Sequence, residues 1–167
     1  MPYDPLRHLR RSIRLVGYDY SHAGAYFFTL VSDRRAALFG EVSGGAFTPS
    51  ILGEAVQRWW DVIPRHFAGV ACDEFVLMPN HMHCIVVLGA NFSSPPVTLG
   101  KIVAFFKYQS TREINQIRGT GYVRVWQRNY FERIIRDDRE LNATRKYIAD
   151  NPVNWPMDRE NAPNTIR

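Results

Sequence analysis

Two histidines one residue apart, His81 and His83, open an otherwise apolar run that continues to Leu88. In an extended strand, side chains two positions apart point to the same side. Both imidazoles would therefore project together, with Ile85 and Val87 on their face and Met82, Cys84, Val86 and Leu88 on the other. Two imidazoles among apolar neighbours are costly unless hydrogen-bonded or bound to a metal. The pair is a two-ligand platform for a divalent cation; the bland alternative is two half-exposed histidines beside a hairpin turn. Further on, Tyr147 and Asn151 stand four residues apart in a helical pattern, so they share one face, offset from the Leu141/Ile148 stripe. A phenol, with a pKa of about 10, is a weak nucleophile at neutral pH. Its attack on a phosphodiester becomes feasible where a divalent cation polarises the phosphate and arginines neutralise it. Two imidazoles, one amide oxygen and one phenol could supply that set, water and phosphate oxygens completing the coordination. Arg145 and Lys146 flank Tyr147 and would favour a phosphate or a phenolate nearby. Against this stands an ordinary half-buried tyrosine.

The elements that must position these groups follow from pattern. Residues 25–32 are aromatic and β-branched and read as a strand, and a short second strand near 38–42 leads into the turn Gly44-Gly45. Thr48-Pro49 reads as a helix start, with threonine as N-cap and proline in the first turn. Leu52, Ala55, Val56, Trp59 and Ile63 follow at helical spacing, and Pro64 stops or kinks that helix. Strands over 73–78 and 81–88 flank a Pro79-Asn80 turn. An amphipathic helix of about five turns comes next, with Leu99, Ile102, Val103, Phe106, Ile114 and Ile117 as its apolar stripe and Lys101, Lys107 and Arg112 off it. A glycine-bearing loop at 119–121, a segment around Trp126, a strand at 131–135 and a last helix capped by Asp137 or Asp138 complete the order, Pro152 ending that helix near Asn151. The plan is α+β: the split β-α-β-β-α-β arrangement, a ferredoxin-like or RRM-like antiparallel sheet with helices on one face and an added C-terminal helix carrying the tyrosine. The 167 residues suit a single domain, with a basic N-terminal arm over about 1–20 and a loose C-terminal tail over about 156–167.

Composition narrows the partners. The chain carries 21 basic residues against 16 acids, a net of +5, and has a pI near 9.5; all the cations but Lys101, Lys107 and Lys146 are arginines. Guanidinium forks suit two-oxygen recognition of phosphate and stack on bases. Residues 101–146 hold eleven basic side chains against five acids, a concentration expected of a nucleic-acid binder, although an arginine-biased solvated surface would look the same. No apolar run is long enough to span a bilayer, which rules out a membrane span, and the arginine-rich start lacks an apolar signal region; no membrane partner is expected. Cys72 and Cys84 are too few for a disulfide scaffold. The expected location is the cytoplasm.

Three strings together carry a resemblance: Leu77-Met78-Pro79-Asn80-His81-Met82-His83, Trp126-Gln127-Arg128-Asn129-Tyr130 and Tyr147-Ile148-Ala149-Asp150-Asn151-Pro152-Val153. In this order, over roughly residues 10–155, they resemble the HUH-type single-tyrosine transposases, closest to the REP-associated tyrosine transposases and their insertion-sequence relatives. The opening Arg10-Arg11-Ser12-Ile13-Arg14-Leu15 has the same look. The resemblance implies that His81 and His83 hold a catalytic divalent metal, Mg2+ or Mn2+. It makes Tyr147 the nucleophile that attacks single-stranded DNA, leaving a 3′-hydroxyl and a 5′-phosphotyrosine link, and Asn151 a third metal ligand. DNA carrying hairpin or palindromic elements is the implied partner, and both a monomer and a homodimer with exchanged helices are compatible with it. Imidazole ligands themselves lean towards manganese or zinc over magnesium. A phosphotyrosine link retains the energy of the broken bond, consistent with the absence of a Walker-type glycine loop. The arm residues Arg10, Arg11 and Arg14, together with Lys101, Lys107, Arg112, Arg128, Arg145 and Lys146, are the candidate DNA contacts, with aromatic rings stacking bases. Two other readings compete: a non-catalytic, domesticated nucleic-acid-binding protein, and a metal hydrolase of small phosphoesters.

Overall fold

The computed structural model describes residues 23–89 and 96–161; the basic arm, with Arg10, Arg11 and Arg14, lies outside them. Four strands form the main sheet: β1 (Gly24–Val31), β4 (Val70–Leu77), β5 (His81–Leu88) and β6 (Phe131–Ile135). Their order is β4-β5-β1-β6, every neighbouring pair antiparallel. This is the layout expected of the split β-α-β-β-α-β plan. Helices α1 (Ile51–His66) and α2 (Leu99–Arg118) cover one face, and α3 (Asp138–Ala149) lies on the other.

Period-two patterning decides which residues meet which helix. Tyr26, Phe28 and Leu30 of β1 and Met82, Cys84, Val86 and Leu88 of β5 enter the core shared with Val56, Trp60, Ile102 and Phe106. Their strand neighbours Phe27 and Ile85 turn the other way and, with Ile135, bury Ile148 of α3. Burying each such side chain is worth about 1.5–3 kcal/mol. That second, smaller core seats the tyrosine helix, and Leu141 packs beside it.

Several boundaries differ from the expectation. Residues 46–49 continue as strand β3, paired with β2 (Gly40–Ser43) through a turn in which Gly44 and Gly45 both take positive φ, the geometry a two-residue hairpin needs. Thr48-Pro49 therefore ends a strand. The cap of α1 is Ser50, whose Oγ accepts from the Gly53 amide at 3.1 Å. Pro64 sits inside the last turn of α1, two residues before its end. Thr98 caps α2, and Gly119 in the left-handed region ends it. The apolar stripe of α2 is buried as far as Ile114, whereas Ile117 is 37% exposed. Asp137 caps α3, its Oδ1 accepting from the Glu140 amide at 2.8 Å.

Pro152 does not simply stop the chain's helical run. Its ring would meet the carbonyl four residues back, which is compatible with α3 ending at Ala149. A short helix α4 (Asn151–Asn154) then restarts with Pro152 in its first turn, where a missing N–H costs nothing. Of the tail expected over 156–167, residues 162–167 lie outside the described residues. Residues Trp155–Met157 and Arg159–Asn161 wind into two 3-10 turns against the histidine strand. No described helix is long and apolar enough to cross a membrane.

Candidate active site

The β5 strand delivers His81 and His83 to the α3 face, both buried, with ring centroids 4.6 Å apart. Each ring is held from behind. His81 Nδ1 lies 2.9 Å from Asn80 Oδ1, while the Asn80 amide nitrogen donates to the carbonyls of Glu160 at 2.7 Å and Arg35 at 3.3 Å. An amide oxygen only accepts, so His81 carries its proton on Nδ1 and turns the Nε2 lone pair into the site. His83 Nδ1 meets Thr29 Oγ1 at 2.7 Å, across the β1/β5 register that pairs those two residues. His83 Nε2 is therefore the atom that faces Tyr147.

Helix α3 brings Tyr147 over this pair. Its hydroxyl stands 3.3 Å from His83 Nε2, and its ring meets Phe27 edge-on with centroids 6.2 Å apart. Phe27 also stacks on His83, so one aromatic side chain packs against both the Tyr147 ring and the imidazole. Tyr147 is 50% exposed, open to solvent. The restart of the helix at α4 buries Asn151 beside both His81 and Tyr147. The ordered tail adds Asp158, whose Oδ2 is 3.6 Å from His81 Nε2.

Burial sets the protonation states. It pushes His83 down to about 3, with neighbouring His81 acting the same way. It pushes His81 down to about 4, against the opposite pull of Asp158 and Asn151. Both are neutral at pH 7, the form that ligates metals. Tyr147 is raised above its ordinary value, first by burial and then by Asp158, with Asn151 partly offsetting. The protein alone thus keeps the phenol protonated, and Arg145 and Lys146 do not relieve it. Arg145 forms a two-pronged pair with Asp73 on β4, at 2.8 and 2.6 Å, and Lys146 pairs with Asp150 at 2.6 Å.

These residues fit a divalent cation. His81 Nε2 and Asn151 Oδ1 are buried and close no hydrogen bond, a costly state that a shared cation would relieve. A neutral Nε2 facing a carboxylate oxygen sets lone pair against lone pair, again favouring a cation between them. His81, His83 and Asp158 can present ligand atoms all within 4.8 Å of one another. Two nitrogens with carboxylate and amide oxygens are donors that Mn2+ and Mg2+ accept.

A cleft of about 1530 Å³ runs from His83, Tyr147 and Asn151 past Phe131, Arg133 and Arg128. Of the expected DNA contacts among the described residues, only Arg128 lines both this cleft and a second groove beside α2, which Lys107 and Arg112 also line. Lys107 braces the intervening loop, its ammonium donating to the carbonyls of Gln127 at 2.8 Å and Arg128 at 3.2 Å, with burial lowering its pKa to about 8. Lys101 stands at the start of α2 and binds the Pro96 carbonyl, away from the histidines. Asp158, Asn80 and Thr29 belong to the site although spacing and residue type did not single them out. Asn80 had the signal of adjoining His81, whereas Asp158 lay in what read as tail.

The sequence model of the IS200-like transposases matches residues 55–151. An uncharacterized protein of Haemophilus influenzae is 36% identical over 168 residues, spanning 90% of this chain and 92% of its own. Another protein of that organism, provisionally named a REP-associated tyrosine transposase, is 25% identical over 149 residues, 81% of this chain and 73% of its own. A REP-associated tyrosine transposase solved bound to a REP hairpin superposes with a TM-score of 0.62 at 20% identity, covering 87% of this chain and 76% of that one. At that identity the likeness is one of fold.

Proposed function

The chain belongs to the IS200-like transposase family, and from that premise we propose that it nicks and rejoins single-stranded DNA through a covalent link to Tyr147. The observation that carries this reading is the Tyr147 hydroxyl standing 3.3 Å from His83 Nε2, beside buried His81 and Asn151 in the same chain. The ferredoxin-like fold and the relatives' names are consistent with it. A hairpin-bearing strand is the proposed substrate; the fold relative was solved bound to a REP hairpin.

His81, His83, Asn151 and Asp158 would hold a divalent metal, Mg2+ or Mn2+. When bound, such a cation withdraws charge from the scissile phosphate and makes it a better electrophile. Thr29 and Asn80 keep both imidazoles turned inward, and their burial keeps them neutral. Phe27 and the Ile148 contact hold the Tyr147 ring at the cleft wall, with its hydroxyl accessible to phosphate. The Tyr147 oxygen bonds to phosphorus as the bond to the 3′-oxygen breaks. That oxygen leaves with the electron pair and takes a proton, giving a 3′-hydroxyl, while the phenol proton passes to solvent at the exposed edge. One phosphodiester is exchanged for another, so the attack is reversible and rejoining needs no nucleotide triphosphate.

The test is a hairpin-containing oligonucleotide with Mn2+, followed on a denaturing protein gel. Wild-type chain should form a DNA adduct, and Tyr147→Phe none, with DNA binding largely retained. An adduct on the Phe variant would overturn the assignment. Failure of the wild type to cleave any of a pool of structured oligonucleotides would favour a non-catalytic DNA-binding protein. Turnover of small phosphoesters, without steep salt dependence of binding, would favour a hydrolase.

A further inference from the structure

The groove beside α2 carries chemistry that the proposed nicking reaction does not use. It encloses about 660 Å³ between the second half of α2 and the segment 120–128. Four cations line it, Lys107, Arg112, Arg124 and Arg128, and no carboxylate does. Two large rings stand in water there, Tyr108 at 65% exposure and Tyr122 at 84%. Among the described residues Arg112 and Arg128 form no ion pair, and Arg124 reaches Asp33 only at 3.9 Å. The acid nearest in sequence, Glu113, is turned away to Arg58 and Trp59.

The groove is built rather than loose. Asn115 donates to the Val123 carbonyl at 2.9 Å and accepts from Thr120 at 3.1 Å, tying the segment to the helix. Buried Trp126 forms the floor, its indole donating to Ser110 at 2.9 Å. Gln127 and Arg128 line both this groove and the catalytic cleft, and Lys107 pins their carbonyls from beneath. A strand could pass from one to the other without leaving basic surface.

We propose that this groove is a second DNA-binding surface, cradling unpaired bases of the strand whose scissile phosphate lies in the cleft; the identity of the strand, though not the existence of the surface, rests on the function proposed above. Open tyrosine faces stack on any base, and unpaired guanidiniums take the phosphates between them. Bases already stacked in a duplex offer such rings no free face, so the groove selects single-stranded flanks. An acidic peptide could satisfy the cations but would leave both rings without a partner.

The experiment uses the full chain in EDTA, which prevents metal-dependent cleavage. Fluorescence anisotropy would compare a hairpin carrying an unpaired extension with the same hairpin lacking it. Tyr108→Ala/Tyr122→Ala should weaken binding of the extended oligonucleotide roughly tenfold and leave the bare hairpin nearly unchanged. Tyr108→Phe/Tyr122→Phe should restore it, because the ring does the stacking. Arg112→Gln/Arg124→Gln should lower the slope of log affinity against log salt by roughly 0.7 for each phosphate no longer neutralised. Iododeoxyuridine placed in the extension should cross-link to Tyr122. The proposal is overturned if the Ala pair binds both oligonucleotides as wild type does, if its loss is equal for both, or if the cross-links map elsewhere. Tighter binding of an RNA of the same sequence, or displacement of the extension by a polyglutamate peptide acting at these rings, would overturn it too. Adduct formation at Tyr147, measured separately with Mn2+, keeps the two readings apart. An extension effect without an adduct sinks the chemistry alone, and an adduct without an extension effect sinks the groove alone.

Discussion

Beneath α3 the two imidazoles are buried, and each group of the site is oriented by another residue: His83 by Thr29, His81 by Asn80, and the half-exposed Tyr147 by Phe27. Beside α2 the arginines and tyrosines are exposed and oriented by almost nothing, on a backbone that is itself well tied. The difference follows from the tasks each surface suits. Bond breaking needs donors fixed in a dry site before substrate arrives. Holding a flexible polymer needs charge and flat apolar faces that adapt to it. The cleft also carries acids, Asp158 and Glu160 among them, while the groove carries none. Glu160 is paired with Arg35 at 3.1 Å and Asp158 faces His81, whereas an acid in the groove would repel phosphate.

The sharpest way to break this contrast is to exchange the effects of substitution at the two places. His83→Ala should reduce metal-dependent cleavage by at least about a hundredfold, since a polarising metal supplies several kcal/mol. Groove substitutions should leave the single-turnover rate at saturating DNA unchanged. A groove variant that lowers that rate as strongly would show that the two surfaces are not separate. Ile148→Ala comes next. Removing a fully buried side chain from the small second core should cost about 2–5 kcal/mol in urea denaturation and slow adduct formation, because the same contact seats Tyr147. Wild-type stability would contradict the role given to that core.

Asp158→Asn probes whether the tail contributes to the metal site. Mn2+ affinity, followed by titration calorimetry, should fall roughly tenfold, and Glu41→Gln on the β2 strand should leave it alone. A further expectation concerns pH. In EDTA, the unfolded chain takes up protons near pH 6.5, whereas burial holds His81 near 4 and His83 near 3 in the folded protein. Their contribution is therefore intact above about 6.5 and is lost as pH falls towards 4. The urea midpoint should drop across that window in wild type and in groove variants, and drop less in His81→Gln/His83→Gln. Equal slopes in all three would refute the buried neutral pair.

The histidine pair was legible because strand period alone puts residues two apart on one face, whatever the strand packs on. The Tyr147/Asn151 pairing was legible for a related reason, helical spacing, although the helix breaks at Asp150 and restarts before Asn151. The boundary at Thr48-Pro49 was not legible. Thr48 and Ser50 are both good caps, and only the pairing of residues 46–49 with β2 decided between them. Reading the flanking cations from composition also had a limit. Arg145 sits next to Lys146 in sequence, but the helix turns it to Asp73, and Lys107 folds inward under the 127–128 loop.

Residue types and short-range spacing were enough, on their own, to specify the strand and helix alternation, the like-facing imidazoles and the excess of guanidinium in the second half. These depend on local geometry, which repeats at two or 3.6 residues wherever the chain goes. Tertiary structure alone decided that Asp158 joins the histidines, that Asn80 sets the His81 tautomer, and that exposed tyrosines and arginines from α2 and the following loop share one groove. Such contacts join residues with no periodic relation along the chain. They come into being only when the sheet, its two faces of helix and the returning tail are packed together.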